Sequence, residues 1–362
     1  MLNENVNPSV VELPPAQLRD AWAALKQAEP NLRARDLAEK LGVSEGEVVA
    51  SRCGEGVVRL EGPWADLIRD LPSVGYVMVL TRNDSCVHEK KGSFNNVDLG
   101  PMMGVVLDEA IDLRIFLKHW KYGFAVREES RGRVLNSLQF FDSDGTAVHK
   151  IYQTEQTDAE AWSRLVAKFN AAVQTPLFEA RTVADPLPEV LKDNAIDVAA
   201  LQDGWRAMRD PHDFFALLRR QQVTRAQALR LVGDEFAHRV DNSAVRVMLE
   251  QASVSELPIM VFVGSPGVVQ IHTGPVHHIK PMGPWLNILD PDFNLHLRED
   301  HIVQSWVVRK PSPEGAVTSL ELYDAKGQQI VQFFGKRKPG IPEREDWRVL
   351  VASLPRAEVD HG

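Results

Sequence analysis

Cysteine is almost absent from this chain: its 362 residues include only Cys53 and Cys86. Neither lies in a CxxC or CxxCH arrangement, which excludes a disulfide scaffold, a zinc knuckle and thioether attachment of a prosthetic group, and leaves both as reduced thiols. Long apolar runs are also missing. Nothing approaches the roughly 18 uninterrupted apolar residues of a membrane span. The start, MLNENVNPSV, has neither a basic region nor an apolar stretch, so the expected location is the cytoplasm. Positive charge is not in excess. A net charge of -9 repels nucleic acid and anionic lipid over most of the surface, so any basic binding site must be local. No GxGxxG or flavin signature occurs, so reducing equivalents for any redox step would come from outside. What is present is the balance of a packed globular protein, 44% hydrophobic and 25% charged. At roughly 100 to 200 residues per domain, the length predicts two or three units.

The chain is duplicated. VLDEAIDLRIFLKHWKYGFAVRE from Val106 matches ILDPDFNLHLREDHIVQSWVVRK from Ile288 at an offset of about 182 residues. Leu107 and Asp108 fall on Leu289 and Asp290, His119 on His301, and Val126 and Arg127 on Val308 and Arg309. In the same register SLQFFDSDGTAVHKIY from Ser137 faces SLELYDAKGQQIVQFF from Ser319. Both copies alternate apolar with polar residues around Asp144-Gly145 and Lys326-Gly327, which predicts hairpins closed by a residue of positive φ. YVMVLTR from Tyr76 and LPIMVFVG from Leu257 add further strands. The expected fold is α+β: two similar halves, each a multi-stranded antiparallel sheet flanked by helices. TVADPLPEVLKDN from Thr182, with two prolines, reads as the link. This places the halves at 1–185 and 186–362.

Three segments carry candidate chemistry. RDLAEKLGVSEGEVVAS from Arg35 has the outline of a DNA-binding helix-turn-helix, and Ser44 with Glu47 forms a capping box. Residues 1 to 60 hold seven Lys/Arg against nine Asp/Glu, however. Repulsion favours a structural helical hairpin over base reading. In GWRAMRDPHDFFALLRRQQVTRAQALRLV from Gly204, Asp210 suits an N-cap, Pro211 the first helical position and Asp213 the helix dipole. His212 is then expected in the first helical turn, where the dipole keeps a ring nitrogen free for a metal, with Phe215 and Ala216 on its face to floor a flat apolar ligand. The alternative is an ordinary surface histidine. Aligning Trp205 with Trp22 puts Glu29 opposite His212, so the histidine is not part of the repeated scaffold. In HTGPVHHIK, the spacing of His272, His277 and His278 fits no familiar zinc pattern, and no neighbouring Cys, Asp or Glu completes a ligand set.

Over nearly its whole length the sequence resembles the bacterial cytoplasmic hemin-degrading or hemin-transport factors of the HemS/ChuS type. The motifs that carry the resemblance are AIDLRIFLKHWKYGFAV from Ala110, DPHDFFALL from Asp210, HTGPVHHIKPMGPWLNILDPDFNLHLRE from His272 and IVQFFGKRKPGIPER from Ile330. The resemblance implies one haem held between the halves, with His212 as axial iron ligand and Arg114 on the opposite, distal face. Phe116 is expected two residues along the same strand face as Arg114. It also implies that Arg225, Gln332, Arg337 and, as a weaker match, Lys310 approach the haem propionates, which suits guanidinium and ammonium donors. Arg114 interrupts an apolar run, and its repeat-mate is His296, so the halves differ where a single asymmetric site requires it. Some relatives carry extra histidines before the ligand, where this chain has Arg209.

Three functions follow as expectations. One is a haem carrier, placed between a haem importer upstream and a haem acceptor or haem oxygenase downstream. The second is a haem-degrading enzyme fed by an external reductant. The third is a DNA-binding regulator, which the acidic N-terminal region disfavours. The residue types required by carrier and enzyme are the same.

Overall fold

The computed structural model describes residues 13–30, 32–130, 132–180, 190–338 and 340–357. The boundary expected near residue 185 lies outside the described residues, as does most of the linker read from Thr182. Helices and two nine-stranded antiparallel sheets make up the structure, so the α+β class and the duplication stand. One sheet runs, in spatial order, Val57–Leu60, Tyr122–Ser130, Arg133–Phe141, Ala147–Thr157, Gly75–Arg82, Cys86–Ser93, Phe293–Arg298, Trp285–Leu289 and Ile279–Met282. The other runs Ala237–Val240, Gln304–Ser312, Gly315–Tyr323, Gln329–Gly335, Ile259–Gly264, Val268–Gly274, Asp112–Ile115, Gly104–Leu107 and Val97–Leu99. The spatial order is the same in both, with each strand replaced by its repeat-mate.

The chain forms two compact units that interleave along the sequence. The first takes Met1–Met78, Val97–Gly104 and Ile115–Val183; the second takes Val79–Asn96, Val105–Arg114 and Ala184–Gly362. Strand Cys86–Ser93 and residues 112–114 of strand Asp112–Ile115, early in the chain, thus belong to the second unit.

The repeated hairpins match in detail. Phe141 pairs with Ala147 and Tyr323 with Gln329, and both ladders shift register just there, between Phe140 and Phe141 and between Leu322 and Tyr323. The turn glycines have positive φ, +83° at Gly145 and +71° at Gly327, which relieves the clash a β-carbon would suffer. At Gly145 a β-carbon would also lie 2.0 Å from Ser44 Oγ. Gly145→Ala is therefore expected to cost more than about 1 kcal/mol, read as a lowered urea midpoint. A midpoint equal to the parent's would show that this turn tolerates a side chain.

In the first unit, the helix-turn-helix outline is real: helices Ala34–Leu41 and Glu45–Ser51 are present, and Ser44 and Glu47 complete their capping box. Glu45, Gly46, Val48, Val49, Ala50 and Ser51 are all buried. The second helix is a core element and has no face to offer a DNA groove.

In the second unit, one core lies between a sheet and helix Ala244–Val254, around Met248, Phe333 and Trp347. A second core gathers Trp205, Phe214, Leu217, Trp306 and Tyr323. Here helices Val198–Arg206 and Asp213–Gln221 cover strand Gln304–Ser312. The Trp205 indole N–H donates to the Arg309 carbonyl at 2.8 Å, so the polar edge of this large apolar side chain is satisfied while its rings are buried.

Candidate functional site

Helix Asp213–Gln221 starts two residues later than the sequence predicts, and His212 occupies the position just before it instead of the first turn. The reason is local hydrogen bonding. The Asp213 carboxylate accepts the backbone N–H groups of Arg209 and Asp210, at 3.0 and 3.1 Å, and so stabilises the preceding turn. Asp210 does not cap the helix interior either. Its Oδ1 accepts the His212 backbone N–H at 2.8 Å and lies 2.5 Å from His212 Nδ1. The His212 N–H, followed by its side chain and the nearby charge of Arg337, holds the Asp210 carboxyl below its usual range. The imidazole is 91% exposed, and Phe215, on the next turn, is 58% exposed. A large aromatic ring left in water beside a histidine is a ready surface for a flat apolar ligand.

Directly inward lies a buried ionic cluster. Arg225, first residue of a helix capped by Thr224 and Gln227, reaches Glu321 at 3.2 Å, and Lys310 reaches it at 2.8 Å. Tyr323 donates its hydroxyl to Glu321, as do Ser319 and the Gln329 amide. Gln332 is the cross-strand partner of Glu321. The Arg225 guanidinium stacks over Phe214 and Phe215, at 5.0 and 5.3 Å, and the Lys310 ammonium over Phe214 at 4.7 Å. Burial works against the Glu321 carboxylate, yet Lys310 and Arg225 outweigh it and hold the carboxyl far below the normal range. Burial lowers the Lys310 ammonium, with Glu321 opposing. Two cations against one carboxylate leave the cluster with a positive excess, an arrangement that attracts a further anion.

The corresponding places in the other repeat have the opposite character. Glu45, which follows its capping serine as Arg225 follows Thr224, is buried in an ion pair with Lys150 at 2.5 Å. At the repeat offset, Glu128 stands for Lys310, Gln139 for Glu321 and Glu155 for Arg337. The residue aligned with His212 is Glu29, which pairs with Lys40. Among the described residues, only the second repeat combines an exposed histidine with excess positive charge.

Arg114 lies on strand Asp112–Ile115, ion-paired with Asp112 and about one-third exposed. Burial raises the Asp112 carboxyl, against the pull of Arg114. Phe116, expected on the same strand face, falls just past the strand end, where the chain turns into a short 3-10 segment, Leu117–His119. The burial alternation nevertheless runs through it: Ile111, Leu113 and Ile115 are buried, while Asp112, Arg114 and Phe116 are partly exposed. Of the remaining histidines, His272 is buried and stacks on Phe293 with centroids 3.8 Å apart. His278 meets a partner the sequence reading did not foresee: the Asp290 carboxylate, 2.7 Å from its Nδ1, which also accepts the backbone N–H groups of His277 and His278.

Sequence reasoning thus found the cations but missed Glu321, Tyr323, Asp112 and the role of Asp210. A signal existed for Glu321. In SLELY it alternates with Leu320 and Leu322, and a lone carboxylate inside an apolar strand requires buried cationic partners.

The haemin-degrading HemS.ChuX domain matches this chain twice, over residues 42–169 and 222–354. The chain belongs to the HemS family. Hemin transport protein HmuS of Yersinia pestis is 41% identical over 345 residues, 95% of this chain and 99% of the relative. Holo-PhuS, a heme-binding protein from Pseudomonas aeruginosa, matches with a TM-score of 0.93 and 48% identity, over 95% of this chain and all of that one. ChuS, described as an E. coli heme oxygenase, matches with a TM-score of 0.85 and 40% identity, over 93% of this chain and 99% of its own. Among the described residues no helix is long and apolar enough to cross a membrane.

Proposed function

We propose that this member of the HemS family binds one haem per chain through His212, sequesters imported haem in the cytoplasm, and delivers it for iron release. The observation that carries the reading is the pairing of an almost fully exposed imidazole with a net-positive buried cluster, neither of which the first repeat possesses. A flat porphyrin needs an apolar face, which Phe215 supplies, and its two propionates need cations. Arg337, half-buried beside Asp210, and the excess charge of the Arg225 and Lys310 pair meet that need, with Gln332 as a neutral donor alongside. Arg114, held by Asp112, serves as the distal donor. His212 sits outside the helix on an exposed turn, so releasing it breaks no helical hydrogen bond and costs little, which suits transfer. An importer would supply the haem, and a soluble acceptor or haem oxygenase would take it.

A second reading is that the chain itself opens the porphyrin ring with an external electron donor. The structural likeness to ChuS, described as a heme oxygenase, favours it. Bound haem would supply the redox-active iron, while Arg114 would donate hydrogen bonds on the distal side. One pair of experiments separates the readings. Stopped-flow mixing of the loaded protein with a haem-free acceptor should give transfer faster than passive dissociation. Incubation with reductant, oxygen and catalase should give no ring-opened tetrapyrrole at catalytic turnover. Transfer no faster than dissociation, together with such a product, replaces the carrier reading with the enzyme.

A further inference from the structure

We infer that Asp210 is a positioning residue for the iron ligand: its carboxylate fixes the tautomer of His212 and makes the imidazole a stronger donor. The inference rests on the proposed haem site and goes beyond it by naming a residue that does not touch the haem.

The geometry is specific. Asp210 Oδ1 meets both the backbone N–H of His212, at 2.8 Å, and the ring Nδ1, at 2.5 Å. A carboxylate accepts only, so the proton of the neutral ring resides on Nδ1. Nε2 then keeps its lone pair and points away from the anchor. Proline at 211 restricts the backbone between the two residues. Asp213 in turn accepts the N–H of Asp210 at 3.1 Å, so the anchoring residue is itself anchored. Carboxylate, imidazole and metal in line is the general arrangement by which a second residue orients a histidine ligand and raises its basicity. In water the pair is screened, since both side chains are exposed at 91% and 61%. A porphyrin lying on His212 and Phe215 would exclude that water and strengthen the contact.

Asp210 also shapes the turn, so the decisive variant is Asp210→Asn. Asparagine keeps an oxygen acceptor for the backbone N–H but removes the charge. The test uses the full chain loaded with haem, with Asp210→Ala and His212→Ala alongside. In Asp210→Asn the ferrous iron-histidine stretching band in resonance Raman spectra should move to lower frequency. Haem dissociation into an excess of apomyoglobin should accelerate, by about 10- to 100-fold in Asp210→Ala and by less in Asp210→Asn. The apo variants should melt as the parent does. An Asp210→Asn protein with the parental band and parental off-rate overturns the inference and leaves Asp210 as a turn former only. A parental band in His212→Ala overturns instead the ligand assignment beneath it.

Discussion

His212→Ala should remove the histidine-ligated Soret signature and weaken haem binding by more than about 100-fold. Losing only the outer partner of a metal-bound histidine costs about 10- to 100-fold, and losing the ligand itself must cost more. The fold should not notice. The side chain is 91% exposed and its polar contact is with its near neighbour Asp210 at the surface, so the change belongs with surface substitutions worth about 0.5 kcal/mol or less. Titrating the apo variant with haem, and comparing its thermal unfolding with the parent, measures both quantities in one preparation. An unchanged Soret band with unchanged affinity would rule out His212 as the ligand. A shifted band with partial affinity would point to replacement by a neighbouring donor.

Glu321→Gln should destabilise the second unit by about 3–5 kcal/mol, because it leaves Lys310 and Arg225 buried with no counter-charge. The substitution is nearly isosteric, and the first repeat itself carries glutamine here, at Gln139. In that repeat, however, Glu128 and Glu45 stand where Lys310 and Arg225 do, so glutamine strands no charge. A urea titration should show a lower midpoint with the slope preserved; a change under about 0.5 kcal/mol would mean that the cluster relaxes or hydrates without loss. The same residue sets an acid limit. Its carboxyl is depressed in the folded state from an ordinary value of 4.5, so its contribution is complete above pH 4.5. It declines as the pH falls below that value, because the unfolded chain takes up a proton that the folded one refuses. The parent should lose stability through this window more steeply than the glutamine variant.

Much of the site was legible one residue at a time. The DPHDFF segment puts a histidine beside a helix start, and the charged residues Arg225, Lys310 and Arg337 stand out against an acidic chain. What each charge faces was not legible. Arg225 and Glu321 are 96 residues apart, and only the packing of a helix onto a strand brings them together. The shift of the helix start from Pro211 to Asp213 turns on a competition between two carboxylates for the same few N–H groups, which pattern rules do not resolve. Phe116 lies one residue past the end of strand Asp112–Ile115, a boundary that pattern rules likewise leave open.

By itself the sequence determined the repeat, the hairpins with their positive-φ glycines and the capping boxes, because each depends on neighbours within a few residues or on a register that two copies reveal together. It also determined that the iron-ligand candidate occurs in one copy only, since Glu29 cannot imitate His212. Only the tertiary structure decided how strands are shared. Cys86–Ser93 and all but the last residue of Asp112–Ile115 join the second unit although they precede the linker, because hydrogen-bonded pairing follows spatial adjacency and edge availability, which chain order does not encode. It likewise decided that Asp210 faces a ring nitrogen and that two buried cations share one carboxylate. Those contacts are set by side-chain directions a few ångströms apart, at a scale where desolvation and charge pairing choose among arrangements that the sequence leaves equal.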